Sequence, residues 1–415
     1  MPKIQTAIAE TSDMKDLSYQ LLLPTELKRS QVGGTIFGQD LDELIGRVAI
    51  DVFKGAGFGI RYTDCEQRQA PNALGLYIDS LSFPNNRSAY RLYLRELASS
   101  QGALSPKLYK WSEILASDEP VVAKNRSTNR GEQKFLLSTE NDKLRFLVFQ
   151  RYAHAMAWNT FQTTKLTRMV AKDCLALKLA LSQSDQDRSK AGARLINEIE
   201  SELGSFEFEE YVTPSDAHNV SYRVLADAAG EVHYCLLLHK RIAPLTPPID
   251  FEWADDPADM IVLNRARCRA NYPLSLIYFT HPESPFRFDN PIDIVSNHAA
   301  GGAPIVISSL HSKISPYTDH QLAILAAQGF NPQAPAMPHE LLEQAKRLCH
   351  VMRYEFPYGG IDFMRDSKGR FLFLEWNQLP GLCYEALGLS PETDDLGGIT
   401  FMLERVAHAF GRYKL

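Results

Sequence analysis

Near the C-terminus, two apolar runs flank a tight polar turn and carry hard oxygen ligands where hydrophobes are expected. Residues 359–364 read Gly-Gly-Ile-Asp-Phe-Met, the turn is Asp366-Ser367-Lys368-Gly369, and residues 371–377 read Phe-Leu-Phe-Leu-Glu-Trp-Asn. Two β-strands and a hairpin turn are the economical reading of that text. Glu375 and Asn377, two apart on one strand, share a face, and Trp376 points the other way into packing. Whether Asp362 joins them depends on the turn. A two-residue loop, Ser367-Lys368, places it on the Glu375 face. A three-residue loop with Gly369 in a bulge does not, unless a second irregularity restores the register.

Carboxylate and amide oxygens so gathered suit Mg²⁺ held against a nucleotide's phosphates. The remaining text narrows the class. At 415 residues the chain has room for two or three subdomains around large cores, and 45% hydrophobic with 23% charged residues is ordinary globular composition. A net charge of -6 and a pI near 6.0 argue against a nucleic-acid binder acting through a basic surface. No apolar run reaches the roughly 20 residues of a membrane span, and the N-terminus lacks a signal peptide's apolar stretch. The six cysteines, at 65, 174, 235, 268, 349 and 383, form no Cys-x-x-Cys. A reducing, cytoplasmic setting is therefore expected, with these thiols as small core residues. His154, His233, His239, His298, His311 and His350 show no metal-ligand spacing and read as structural, with His298 the nearest to a substrate role.

Along the chain, residues 1–80 read as a small α/β unit with a helix over 41–53, its inner side Leu41, Leu44, Ile45, Val48 and Val52, and short strands at 60–62 and 76–78. Ser88 is a candidate N-cap for a helix that Gly102 stops, and another helix is expected over 111–115. Residues 119–124 read as a buried strand ending in Lys124, followed by the loop 125–131. Most of 143–203 is helical in pattern, with Leu166, Met169, Val170, Leu177 and Leu181 on one face and Leu195, Ile196, Ile199 and Leu203 on another. Residues 206–212 alternate as a strand, and 221–225 with 232–237 form a hairpin. Residues 243–295 carry no clear pattern, while 339–352 and 399–410 read as helices.

From about residue 76 to 390, the order of these motifs resembles the ATP-grasp superfamily, and within it the carboxylate–amine (amino-acid or peptide) ligase branch. The resemblance is carried by the helix at 91–97, Gly102, Pro106, the Pro-x-Val-x-Lys text at 120–124, the strand 206–212, the Asn-x-x-x-Gly-Gly-like stretch at 296–302 and the hairpin. It implies an α/β (α+β) ATP-grasp fold: an N-terminal unit at 1–85, a central subdomain at 86–212 with a helical insertion at 143–203, and a C-terminal subdomain at 213–415. It implies ATP with Mg²⁺, or Mn²⁺, held by Asp362, Glu375 and Asn377. Arg91, Lys124, Thr128 and Gly131 would attend the phosphates. Glu209, Glu210, Tyr211 and Val212 would form a hinge whose backbone pairs with adenine and whose acid takes the ribose hydroxyls, with 146–152 as the runner-up hinge. Arg223 and Asn297 would serve catalysis. The chain departs from the family in the single glycine of its loop, in Arg91 where relatives often carry lysine, and in the 86 positions between Lys124 and Glu210. The implied activity is ATP-dependent amide-bond formation through an acyl phosphate, on carboxylate and amine substrates or peptides, in a homodimer, without nucleic acid or membrane. A small-molecule kinase, drawing on Arg265, Arg267 and Arg269, or a nucleotide-binding module without turnover are the alternatives.

Overall fold

The computed structural model describes residues 20–24, 50–63, 73–75, 87–125, 134–152, 164–184, 186–204, 206–214, 218–227, 230–245, 278–296, 301–309, 314, 316–352, 358–377, 404 and 407. Strands β1 (Gln20–Pro24), β2 (Gly59–Thr63) and β3 (Ala73–Gly75) form a parallel sheet in the order β2-β1-β3. Parallel neighbours need crossover connections, so this unit is α/β, as its sequence suggested. A helix ends just before β2 with Phe53 fully buried against Phe58. The expected inner face at 41–48 and the strand at 76–78 lie outside the described residues.

The rest is α+β, built on two antiparallel sheets. Helix α1 (Arg87–Ser100) begins one residue ahead of Ser88, which is therefore helical rather than capping. It ends at Gly102, whose N–H reaches the Ser99 carbonyl while Ala103 reaches Ala98. After β4 (Leu108–Tyr109), residues 111–116 form a 3-10 helix rather than an α-helix. Strands β5 (Val121–Asn125), β6 (Lys134–Leu137) and β7 (Phe206–Glu210) complete a four-stranded sheet, order β4-β7-β5-β6. Helices α2 (Glu140–Tyr152), α3 (Thr164–Ser182) and α4 (Lys190–Leu203) cover one face of it. The runner-up hinge at 146–152 is thus helical: a short apolar run fits a buried helix as well as a strand, and here Phe146, Leu147 and Phe149 pack under the sheet. Leu166, Val170 and Leu177 face inward as expected, but Met169 is 42% exposed, because the helical turn carries it to the margin of the stripe that those three define.

Strands β8 (His218–Asp227), β9 (Val232–Arg241), β10 (Ala303–Ser309), β11 (Tyr358–Arg365) and β12 (Phe371–Asn377) form the second sheet, order β10-β9-β8-β11-β12. Helices α5 (Asp319–Ala327) and α6 (His339–Met352) pack with α1 on one of its faces, over Tyr222, Val224, Leu237, Ile361 and Phe373. The segment 278–296 reaches both sheets. Phe279 stacks on Phe288 among the α2 aromatics, and Asp293 pairs with Lys240 of β9.

Trp376 lies inward, 7% exposed, and its indole covers Gly359; a Cβ there would collide with the indole at Trp376 Nε1. Gly359→Ala is therefore expected to destabilise the fold by about 1–3 kcal/mol through overpacking, read as a lowered urea midpoint with unchanged m.

Candidate functional site

The hairpin β11–β12 settles the question its sequence left open. The turn has a three-residue loop: Asp366 and Arg370 close it, Gly369 adopts φ 81°, and Gly369 N–H donates to the Asp366 carbonyl. Arg365 to Phe363 then pair with Phe371 to Phe373, and the register shifts so that Asp362 pairs with Glu375. The extra residue, Leu374, is the second irregularity that brings Asp362 onto the Glu375–Asn377 face.

Asp362 also pairs with Arg223 across β8. Arg223, Asp362 and Glu375 thus form a row over three strands, on the face turned away from α5 and α6. Arg223 grips Asp362 as a fork, Nε to Oδ1 at 2.8 Å and Nη2 to Oδ2 at 2.7 Å, and Asn377 Nδ2 donates to Asp362 Oδ2 at 3.0 Å. Asp362 is 7% exposed. Burial pushes its carboxyl up from the ordinary range, with Glu375 adding to the push and the Arg223 guanidinium pulling the other way. Two carboxylates and an amide oxygen on one face form a donor set that suits a hard divalent cation.

The four-stranded sheet supplies the opposing charges. On β5, Val121 and Ala123 join the helix-covered core, so Val122 and Lys124 face the other side. Register places Lys124 beside both Glu207 and Lys134, and Val122 beside Glu209. Arg95 of α1 joins this face, its Nη1 3.0 Å from Glu207 and its Nη2 2.7 Å from Glu209. Lys124 pairs with the other oxygen of Glu209. Burial alone would raise the Glu209 carboxyl, but Lys124 and Arg95 outweigh it and hold it at about 2. For Arg95, burial is likewise overcome, and Glu209, Glu207 and then Glu375 of the other sheet raise its guanidinium. Lys134 in turn acts on Asp362. The two charged faces therefore belong to one site.

Sequence reading named Lys124, Glu209, Arg223, Asp362, Glu375 and Asn377, and the fold gathers all six. It missed Arg95, Glu207 and Lys134. Arg95 lies one helical turn after Arg91, a spacing that shares a face. Lys134 is revealed only by the β5–β6 pairing. The hinge strand ends at Glu210, so Tyr211 and Val212 lie beyond it, with Tyr211 N–H donating to the Pro120 carbonyl. Glu210 is exposed and accepts from Lys107 N–H. The Arg91 side chain, Thr128, Gly131 and Asn297 lie outside the described residues. Ser296, just before Asn297, bonds Ser221 Oγ at 2.9 Å, two residues from Arg223 on the same face of β8.

Solved ATP-grasp ligases align with the chain along nearly its whole length. The ATP-grasp ligase PsnB, complexed with minimal precursor, matches at 10% identity and a TM-score of 0.37, over 94% of this chain and 99% of its own. D-alanine–D-alanine ligase from Bacillus anthracis, complexed with ATP, matches at 11% and 0.35 over 96% and 98%. D-cycloserine synthetase DcsG matches at 8% and 0.37 over 94% and 99%. No protein-family model and no curated protein matches the sequence. At such values these likenesses add no weight of their own, and the functional reading rests on the site's geometry.

Glu209→Gln leaves Arg95 and Lys124 without their shared carboxylate. Holding Glu209 near 2 instead of the unfolded value near 4.3 corresponds to about 3 kcal/mol at neutral pH. Because the folded value is the lower one, this contribution is complete above the unfolded pKa and is lost as pH falls. The gap in unfolding free energy between wild type and Glu209→Gln is expected to close between about pH 5 and 2, measured by denaturant titration at stepped pH.

Proposed function

We propose that this protein is an ATP-dependent carboxylate–amine ligase, forming an amide bond through an acyl phosphate and releasing ADP and phosphate. The observation that carries the reading is the row Arg223–Asp362–Glu375, with Asn377 beside it, opposed by Lys124, Lys134 and Arg95. Asp362, Glu375 and Asn377 would hold Mg²⁺, or Mn²⁺. The metal supplies charge neutralisation to the ATP phosphates during transfer. Lys124 and Lys134 flank the loop between β5 and β6, and they would meet the phosphates together with Arg91, Thr128 and Gly131. Glu209 fixes Lys124 in place, so the hinge's contribution to adenine would come from the backbone at the end of β7 and just beyond it, at Glu210, Tyr211 and Val212. Arg223 pulls the Asp362 carboxyl down against the upward push of burial and presents guanidinium charge where a transferred phosphoryl group and its acyl acceptor would lie. Asn297, which follows the Ser296–Ser221 contact, would reach that same centre.

The ligase-type work is positioning two substrates and a phosphoryl group, and phosphate departs from an acyl phosphate without a dedicated base. We also assign the protein to the cytoplasm: Cys235 and Cys349 are buried core thiols, and no described helix is long and apolar enough to cross a membrane. The three parts implied by the sequence, 1–85, 86–212 and 213–415, are retained as the units of this reading, with 143–203 as the helical insertion in the central one.

The test is ATP turnover with Mg²⁺ and pools of amino acids and short peptides, ADP and phosphate followed separately and products read by mass spectrometry. ADP, free phosphate and a condensed mass are expected, all lost in Glu375→Gln. ADP with a phosphorylated product instead identifies a kinase, and no turnover with tight ATP binding identifies a binding module. Arg223→Met is expected to lower kcat by about 10²–10³-fold.

A further inference from the structure

Three histidines from distant segments meet at one end of the five-stranded sheet, on the face opposite Arg223. His218 opens β8 and His239 lies near the end of β9, where it pairs with Val220. His218 is thus its diagonal neighbour on the same face. This face is the inner row Val220, Tyr222 and Val224 with Cys235 and Leu237, all buried in the helix-covered core. His239 continues that row at 7% exposure, where a packing argument alone would place another hydrophobe. His320, the second residue of α5, comes in from solvent. The ring centroids are 5.9 Å (218–239), 6.2 Å (218–320) and 5.8 Å (239–320) apart, and a ligand nitrogen of each ring lies within 4.8 Å of the other two.

The scaffold under these rings is rigid. Two of them stand on adjacent paired strands. The third is fixed by the Thr318–Gln321 capping box and by Tyr317, whose hydroxyl donates to the Val306 carbonyl of β10 at 2.7 Å. The three imidazoles together offer one nitrogen ligand each, all within 4.8 Å of one another. That donor set suits zinc, and also copper or nickel, far better than Mg²⁺. Tetrahedral zinc at about 2.0–2.1 Å from each nitrogen sets the nitrogens about 3.3 Å apart, so ring movements of about 1 Å close the site.

We propose that His218, His239 and His320 bind one zinc-class divalent ion, with the fourth position left to water on the exposed His320 side, and that this ion clasps the start of α5 to the β8–β9 hairpin. The site is separate from the carboxylate face. His218 is five residues from Arg223, about 17 Å along β8, and odd spacing puts the two on opposite faces. Sequence reading missed it because positions 218, 239 and 320 show no ligand spacing, and His239 was read as structural.

The experiment is titration of untagged, metal-stripped protein with Zn²⁺ against a competing chelator, and with Co²⁺ followed by visible absorption, for wild type, His320→Gln and His218→Gln. His320 is exposed, so its variant keeps the fold even if the His218 change perturbs the strand. One equivalent of Zn²⁺ is expected, with a four-coordinate Co²⁺ spectrum free of thiolate charge transfer. Each variant is expected to lose more than about 100-fold in affinity, beyond the roughly 10–100-fold that outer-shell substitutions cost. Zinc should raise the wild-type thermal midpoint and leave that of His320→Gln unmoved. Absence of binding at tens of micromolar, a thiolate band, or equal affinity in His320→Gln would each overturn the proposal.

Discussion

The charge cluster centred on Arg95 and Glu209 is the constraint around which the site is organised. A carboxylate, a guanidinium and an ammonium are withdrawn from water together, at a cost of several kcal/mol for each ion unless its partners are in place. Here they are: Arg95 divides its fork between Glu207 and Glu209, and Lys124 takes the remaining oxygen of Glu209. Because Arg95 stands on α1, which lies against β12, while both acids stand on β7, the same contacts fix one sheet relative to the other. The backbone bond from Phe373 N–H to the Leu104 carbonyl repeats that tie and covers the edge of β12.

With the sheets so held, the opposing row falls into place. Arg223 holds Asp362, Asn377 steadies it from β12, and Glu375 of β12 pairs directly with Asp362 of β11. Four cations, Arg95, Lys124, Lys134 and Arg223, then share a site with four acids, Glu207, Glu209, Asp362 and Glu375. Such a site is close to neutral overall but divided: the cations of the smaller sheet suit phosphate oxygens, and the carboxylates of the larger sheet suit a divalent cation. A metal–nucleotide complex has that same division of charge.

Much of this was legible from sequence wherever a local pattern betrays a fixed face. Oxygen ligands set in apolar runs marked the hairpin, and the alternation of Phe206 to Glu210 marked β7. What decided the geometry was not legible. The three-residue turn alone would have sent Asp362 to the wrong face; only the slip at Leu374 rescues it, and nothing in the letters Phe-Leu-Phe-Leu announces a bulge. Lys134 enters through strand pairing, and Arg95 through the packing of α1 against β12. The histidine trio is the extreme case, since its members are joined only by tertiary structure. The 146–152 run shows the converse ambiguity: it lies in the stretch read as helical and is a buried helix, yet its apolar letters also fit a strand.

The most direct measurement is calorimetric titration of a non-hydrolysable ATP analogue into wild type and Glu375→Gln, each with Mg²⁺ and with a chelator. The account predicts binding in wild type that weakens at least about tenfold without Mg²⁺ and a Glu375→Gln variant that no longer responds to the metal. Nucleotide affinity indifferent to both Mg²⁺ and Glu375 would contradict it, because the Asp362–Glu375–Asn377 face would then have no part in holding the nucleotide's metal.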